Sequence, residues 1–349
     1  MNRRPAAVAA ALLVLFLIFL AGGAGCARLR VTRPPIPWYF SIHGGEVGHD
    51  GTKSEAAFQK VLDLGGKGVR TDIFWAEVEP ARDAWNDSLL DFYSGYVTLA
   101  RSKGLDPMMI VSGAPGWAIE LHSRDPKAFW KEYEEYVERV VRKVGDRVGN
   151  YQVWNEANHF IDPIDAADDW ELFSRAGAIF RRLDPTATLY VNVNANWFGW
   201  EDAVTDWVSK AGSSIDVIGV DHYPGTWSPG SNSNWYPLER LVERINTPGD
   251  PWYGKKGAVL ETGYSSWAPV LADEEGQKRW INESIPALHS KVREANRSNK
   301  YKVVLANYYL LLDPDTNGWG PEPHFGILHT DSSPKLGYDD LKRQITGLP

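Results

Sequence analysis

Short apolar runs rich in Val, Ile, Leu and aromatic residues alternate along the chain with longer stretches whose apolar residues recur every third or fourth position. The runs are Trp38 to Ile42, Gly68 to Phe74, Pro107 to Ser112, Tyr151 to Asn155, Leu189 to Asn194, Val217 to Asp221, Ala258 to Glu261 and Val303 to Tyr308. Strands that are apolar on both faces belong to a sheet covered by helices. Their starts lie about 38 residues apart, which leaves room for one helix and two loops per repeat.

The stretches between them read as helices near 54–64, 87–103, 126–144, 168–183, 200–210, 237–245, 274–295 and 338–345. Asp125-Pro126 supplies an N-cap and a first-turn proline, after which Phe129, Tyr133, Tyr136, Val137, Val140, Val141 and Val144 fall on one face. Eight strand–helix repeats in order predict a closed (β/α)8 TIM barrel over residues 27–349, in a single domain, rather than a doubly wound sheet. No Gly-rich phosphate loop follows any strand, and no linker or internal repeat divides the chain.

Composition adds three constraints. The formal charge of −8, which becomes −10 once Arg3 and Arg4 are removed, argues against nucleic acid and anionic lipid surfaces as partners. The 16 Trp and 15 Tyr are an excess that packing or stacking against sugar faces must use. The eight His are scattered and Cys26 is the only cysteine, so neither a catalytic metal nor any cofactor is expected, and no intramolecular disulfide can form.

Arg3, Arg4, the uncharged run from Ala6 to Gly25 and then Cys26 read as an export signal. The segment Ala21-Gly-Gly-Ala-Gly-Cys26 resembles a bacterial lipoprotein cleavage site, with Gly23 where such sites usually hold a leucine-like residue. Residues 1–26 are therefore read as a lipoprotein-type signal. The mature protein is expected at the cell surface or in the periplasm as a monomer, touching membrane only through a lipid on Cys26. Ordinary cleavage and an uncleaved anchor stay open as alternatives.

The chemistry lies in two strand ends. Val153-Trp154-Asn155-Glu156 closes the fourth run and Val259-Leu260-Glu261 the seventh, 105 residues further on. In a parallel barrel such carboxylates face the mouth where ligands bind, and two of them can share acid and nucleophile duties on a glycosidic bond. With these residues the chain resembles the clan A glycoside hydrolases, (β/α)8 barrels marked by Asn-Glu after strand 4 and Glu after strand 7. The resemblance covers nearly all of the mature chain. It implies Glu156 as acid/base, Glu261 as nucleophile and Asn155 as a partner of the sugar 2-hydroxyl.

Further positions follow from the same resemblance. The segment Val69-Arg70-Thr-Asp-Ile-Phe-Trp75 through Pro80 is similar to the clan's strand-2 region, whose arginine braces the nucleophile. It implies Arg70 and places Trp75 nearby. Asp221-His222-Tyr223-Pro224 resembles the position where an imidazole or phenol contacts the nucleophile. Ala114-Pro-Gly-Trp117 is similar to the Pro-x-Trp loop of families 39 and 42, and the tail from His324 to Lys335 is like that of many clan A barrels. Where family 5 has Asn-Glu-Pro this chain has Asn-Glu-Ala, and the strand-8 tryptophan of many members is replaced by Asn307-Tyr308-Tyr309, with Trp319 beyond.

Among the tryptophans, Trp130, Trp170, Trp207 and Trp280 fall in predicted helices and are read as packing. Trp75, Trp117, Trp197, Trp200, Trp227, Trp235, Trp267 and Trp319 follow strand ends, and about half of them are expected in a sugar groove. The set assigned to substrate is Asn155, Arg70, His222, Tyr223, Trp117, Trp75, Trp267, Tyr308 and Trp319. The function expected is retaining hydrolysis of an oligo- or polysaccharide. Transglycosylation with the same residues, and glycan binding without turnover, are the competing readings.

Overall fold

The computed structural model describes residues 36–159, 164, 167–227, 230–267, 273–314 and 320–347. The proposed signal, Cys26 and Trp319 lie outside them. Eight strands, β1 (Trp38–Ser41), β2 (Gly68–Phe74), β3 (Asp106–Ser112), β4 (Asn150–Val153), β5 (Thr188–Asn194), β6 (Val217–Asp221), β7 (Lys256–Thr262) and β8 (Val303–Tyr308), pair in parallel and in sequence order. β1 also pairs with β8, closing the barrel. Among the described residues no helix is long and apolar enough to cross a membrane.

Helices return the chain from each strand to the next, and their starts are built from local hydrogen bonds. Asp125 accepts from the Ala128 amide, Asp50 from Thr52, Asn86 from Leu89 and Asp273 from Gly276. The helix Pro126–Val144 buries Phe129, Tyr133, Tyr136, Val137, Val140, Val141 and Val144 against the sheet. Burying a side chain of this kind stabilises the fold by roughly 1.5–3 kcal/mol.

The barrel interior is separate from this outer apolar layer and has two storeys. The lower is apolar, made of Tyr39, Met108, Tyr190, Val217, Ala258, Leu260 and Leu305. Two glycines permit its packing: a Cβ on Gly68 would meet the Tyr39 ring at 2.4 Å, and one on Gly219 would meet Leu260 at 2.3 Å. The upper storey is polar and buried, comprising Ser41, Arg70, Gln152, Asn192, Asp221 and Asn307, with Glu261 opening onto the mouth.

β4 ends two residues earlier than the sequence pattern indicates. Trp154 (φ 61°) and Glu156 (φ 46°) both adopt left-handed backbone, which stops the ladder at Val153 and turns Asn155 and Glu156 out as a bend. Two short helices that the apolar pattern does not reveal, Trp75–Val78 and Gly116–Arg124, follow β2 and β3 directly.

Candidate active site

The carboxyl-terminal ends of the strands surround a cavity of about 580 Å3, within the usual range for small-molecule sites. Its described lining includes Asn155, Glu156, Glu261 and Tyr223, together with His43, Asp72, Phe74, His159, Asn194, Asn196, Trp197, Trp227, Tyr309 and Glu322. Another hollow, about 500 Å3, lies between two outer helices, lined in part by Glu239, Lys291 and Glu294. It is remote from the strand ends.

Arg70 stands at the centre of the polar storey, almost wholly buried. Its Nη1 is 2.8 Å from Glu261 Oε1, its Nε donates to Gln152 Oε1 at 2.9 Å and its Nη2 to Asn155 Oδ1 at 3.0 Å. The second Glu261 oxygen accepts from the Tyr223 hydroxyl at 2.6 Å. Both oxygens of Glu261 are thus held by donors, one of them a permanent cation.

Asn155 Oδ1 accepts three bonds, from Arg70, from Gln152 Nε2 at 3.0 Å and from Asn192 Nδ2 at 2.8 Å, leaving its amide nitrogen for a ligand. The left-handed residues on either side are anchored as well. Trp154 packs edge-on against Tyr133, its amide bonds Val111 O, and its own carbonyl accepts from Gln152 Nε2. The Glu156 amide donates to Asn192 Oδ1 at 3.0 Å. A residue held in this conformation costs about 1–3 kcal/mol, which these contacts offset.

One oxygen each of Glu156, Asp221 and Glu261 lie within 4.8 Å of one another. A register shift between β6 and β7, after Val220↔Val259, sets Asp221 directly opposite Glu261. Burial and then the charge of Glu261 raise the Glu156 carboxyl to about 8, against the pull of Asn194 Nδ2, which donates to its Oε2 at 3.2 Å, and of Asp221. The triad has the spacing of a cation site, but Arg70 already places a positive group on Glu261. A second carboxylate cluster, Glu79, Asp83 and Glu132, is engaged by the Trp75 indole, the Asp83 amide and Arg82.

Several residues assigned from sequence lie elsewhere. Trp75 begins a one-turn helix immediately after β2, which folds its indole away from the mouth onto Tyr136, stacked at 5.3 Å, with Nε1 donating to Glu79 at 2.7 Å. Trp117 stands edge-on to Trp75 and donates to the Glu79 carbonyl. Tyr308 is outward because strand side chains alternate: Asn307 points inward to Ser41, so Tyr308 packs between Phe40 and Trp280. Its successor Tyr309 lines the cavity instead.

His222 likewise follows an inward residue and is buried outside the cavity, its ring bridging the Asn196 side chain at 3.1 Å and the Asn234 carbonyl at 2.7 Å. Burial lowers it to about 4, so it stays neutral while positioning Asn196. Trp267 is half-buried and is not part of the cavity lining. Trp200 and Trp235 are buried, whereas Trp197 and Trp227, 47% and 40% exposed, flank the mouth.

The residues missed by sequence reading share one signal. Asp72, Asn192 and Asn194 are polar residues two apart from other inward positions at strand ends, as the Val191-Asn-Val-Asn194 alternation displays. His43, His159 and Glu322 come from loops and carry no such periodicity. His43 Nδ1 meets Asp72 Oδ2 at 2.9 Å, and Glu322 is raised by burial and by Glu261.

No protein-family model matches the chain, and no curated protein matches it in sequence. Solved structures do match. The chain shares its fold with glycosidases of several families. A β-glucosidase designated 1317 superposes with a TM-score of 0.67 at 19% identity, over 90% of this chain and 99% of that one. A family 39 glycoside hydrolase from Bacteroides cellulosilyticus WH2 gives 0.65 at 18% identity, over 90% of this chain and 64% of that one. An exo-β-1,4-mannosidase from Opitutaceae bacterium strain TAV5 gives 0.69 at 15% identity, over 89% and 59%.

Proposed function

We propose that this protein is a retaining glycoside hydrolase. The observation that carries the reading is a pair of adjoining carboxyls in opposite environments: Glu261 bound to Arg70 and Tyr223, and Glu156 raised to about 8 and so protonated at neutral pH. Their approach to within 4.8 Å supports retention, since retaining enzymes hold the two carboxyls about 5–5.5 Å apart and inverting enzymes leave room for a water between them.

In this mechanism Glu261 attacks the anomeric carbon while Glu156 gives its proton to the departing oxygen, so the glycosidic C–O bond breaks as the glycosyl ester forms. Glu156, now a carboxylate, takes a proton from water as that water attacks the anomeric carbon and releases Glu261. Asn155 offers its amide nitrogen to the neighbouring sugar hydroxyl.

The lining argues for the substrate class. It carries Asp72, Glu156, Glu261 and Glu322 and, among the described residues, no Lys or Arg, which disfavours uronides and sulfated sugars and favours neutral ones. Exposed Trp197 and Trp227 offer stacking faces beyond the reacting sugar, which suits an oligo- or polysaccharide. The setting proposed is outside the cytoplasm, with the mature chain a monomer anchored through Cys26.

The test is digestion of a panel of neutral oligosaccharides and aryl glycosides, with the anomer of the first-formed product followed by NMR. Retained configuration is expected. A Glu261→Gly variant should lose turnover and regain it with azide, giving a glycosyl azide of inverted configuration. Inverted product from the unaltered enzyme, or full activity in Glu261→Gln, would overturn the mechanism. Products lengthened on an added sugar acceptor would identify transglycosylation.

A further inference from the structure

The third carboxyl, Asp221, has no part in the two-carboxyl scheme, yet it ends β6 at the centre of the polar storey. It is completely buried. Its Oδ2 accepts from Asn192 Nδ2 at 2.5 Å, while its Oδ1 has no hydrogen-bond partner among the described residues. The donors nearby are committed elsewhere: Arg70 bonds Glu261, Asn155, Gln152 and Ser41, and the Tyr223 hydroxyl bonds Glu261.

The groups facing Asp221 are Arg70 from β2, Glu156 beyond β4, Asn192 from β5, Tyr223 beyond β6 and Glu261 from β7. Among the described residues, one permanent cation thus serves three carboxyls. With Glu261 ionised against Arg70, a second anion at Asp221 would be buried with one oxygen unsolvated and two carboxyl oxygens within 4.8 Å.

As a neutral acid, Asp221 instead has an O–H to donate, and the Glu156 carboxyl, which Asn194 also holds on Oε2, lies close enough to accept it. We propose that Asp221 is a neutral positioning residue whose Oδ1–H donates to the Glu156 carboxylate formed when the leaving group departs. Burial and the charges of Glu261 and Glu156 push the Asp221 carboxyl well above its ordinary range, in keeping with this.

The step balances without a further reactant. Glu156 loses its proton to the departing oxygen, accepts a hydrogen bond from Asp221 through the life of the glycosyl-enzyme, and regains a proton from the attacking water. Asp221 ends as it began. This part rests on the hydrolase reading.

Two measurements test it. Isotope-edited infrared difference spectra, taken between the unaltered protein and Asp221→Asn at neutral pH, should show the loss of a protonated carboxyl stretch. Loss of a carboxylate band instead would overturn the proposal, and this readout needs no turnover. On a glycoside the enzyme cleaves, Asp221→Asn keeps a neutral N–H donor, so the basic limb of its kcat/KM profile should stay within about half a pH unit. In Asp221→Ala, deglycosylation should slow about 10- to 100-fold, the range for losing a hydrogen bond to a charged group. A basic limb that falls by more than about one pH unit in Asp221→Asn would mean that a negative charge had been removed, and would refute the assignment. Failure of the hydrolase reading would appear separately, as absence of turnover on every glycan while the infrared band still reports the protonation state.

Discussion

Replacing Glu156 with glutamine keeps the side chain's shape and removes its titration, so the cost of its environment can be read as stability. The carboxyl titrates at about 8 in the folded chain, against about 4.3 in an unfolded one. Between those values the folded state holds a proton that the unfolded state has released. Stability from this group is therefore fully present below the unfolded value, falls as pH rises, and levels off above about 8. At 1.36 kcal/mol per unit, the loss across the window is bounded at about 5 kcal/mol. Glutamine escapes it. Calorimetry at matched ionic strength should show the Glu156→Gln variant melting like the unaltered protein near pH 4, higher at pH 7, and by roughly 5–10 °C at pH 8.5, at about 2 °C per kcal/mol. The same variant should lose about 100- to 10,000-fold in turnover of substrates with poor leaving groups. A melting difference independent of pH, or a variant less stable in alkali, would refute the account of this site's electrostatics.

Arg70→Met should destabilise the fold by about 3–5 kcal/mol in urea at pH 7, because it strands Glu261 without its cation. The penalty should shrink in acid, and a loss independent of pH would contradict it. Tyr223→Phe removes the 2.6 Å bond to Glu261 and should cost about 10- to 100-fold in kcat/KM with little change in melting, as steady-state kinetics can establish. Tyr308→Phe should leave activity unchanged and melting equal or higher, since that buried hydroxyl has no partner among the described residues. Trp197→Ala should raise KM for long oligosaccharides several-fold while sparing small aryl glycosides, a contrast that vanishes if the mouth does not bind extended chains.

The barrel was legible because its signal is repetitive: eight apolar runs separated by helix-period stretches leave few other architectures. The positions of Glu156 and Glu261 in one cavity followed from their places at strand ends, whereas Asn155, Arg70 and Tyr223 were assigned from the clan A resemblance, and Arg70 reaches Glu261 from within β2. Ring assignment was harder. Trp75 and Trp117 follow strands just as Trp197 does, but local helices turn the first two inward onto Glu79, and no apolar period announces a single helical turn. Tyr308 and Tyr309 differ only in the parity of the strand, which was fixed by the inward Asn307 and could have been read from it. Loop residues such as His43 and Glu322 reach the cavity through tertiary geometry alone.

The greasy lower storey stoppers the barrel from beneath, so among the described residues the chamber is a cul-de-sac that opens at the strand ends. On the proposed mechanism the severed alcohol and the incoming nucleophile use that same passage in turn. How long a cleaved fragment lingers on the tryptophans flanking the doorway then governs whether water or another sugar enters next. Trimming those two rings is accordingly a route to altering the ratio of hydrolysis to chain transfer while the carboxyls stay untouched.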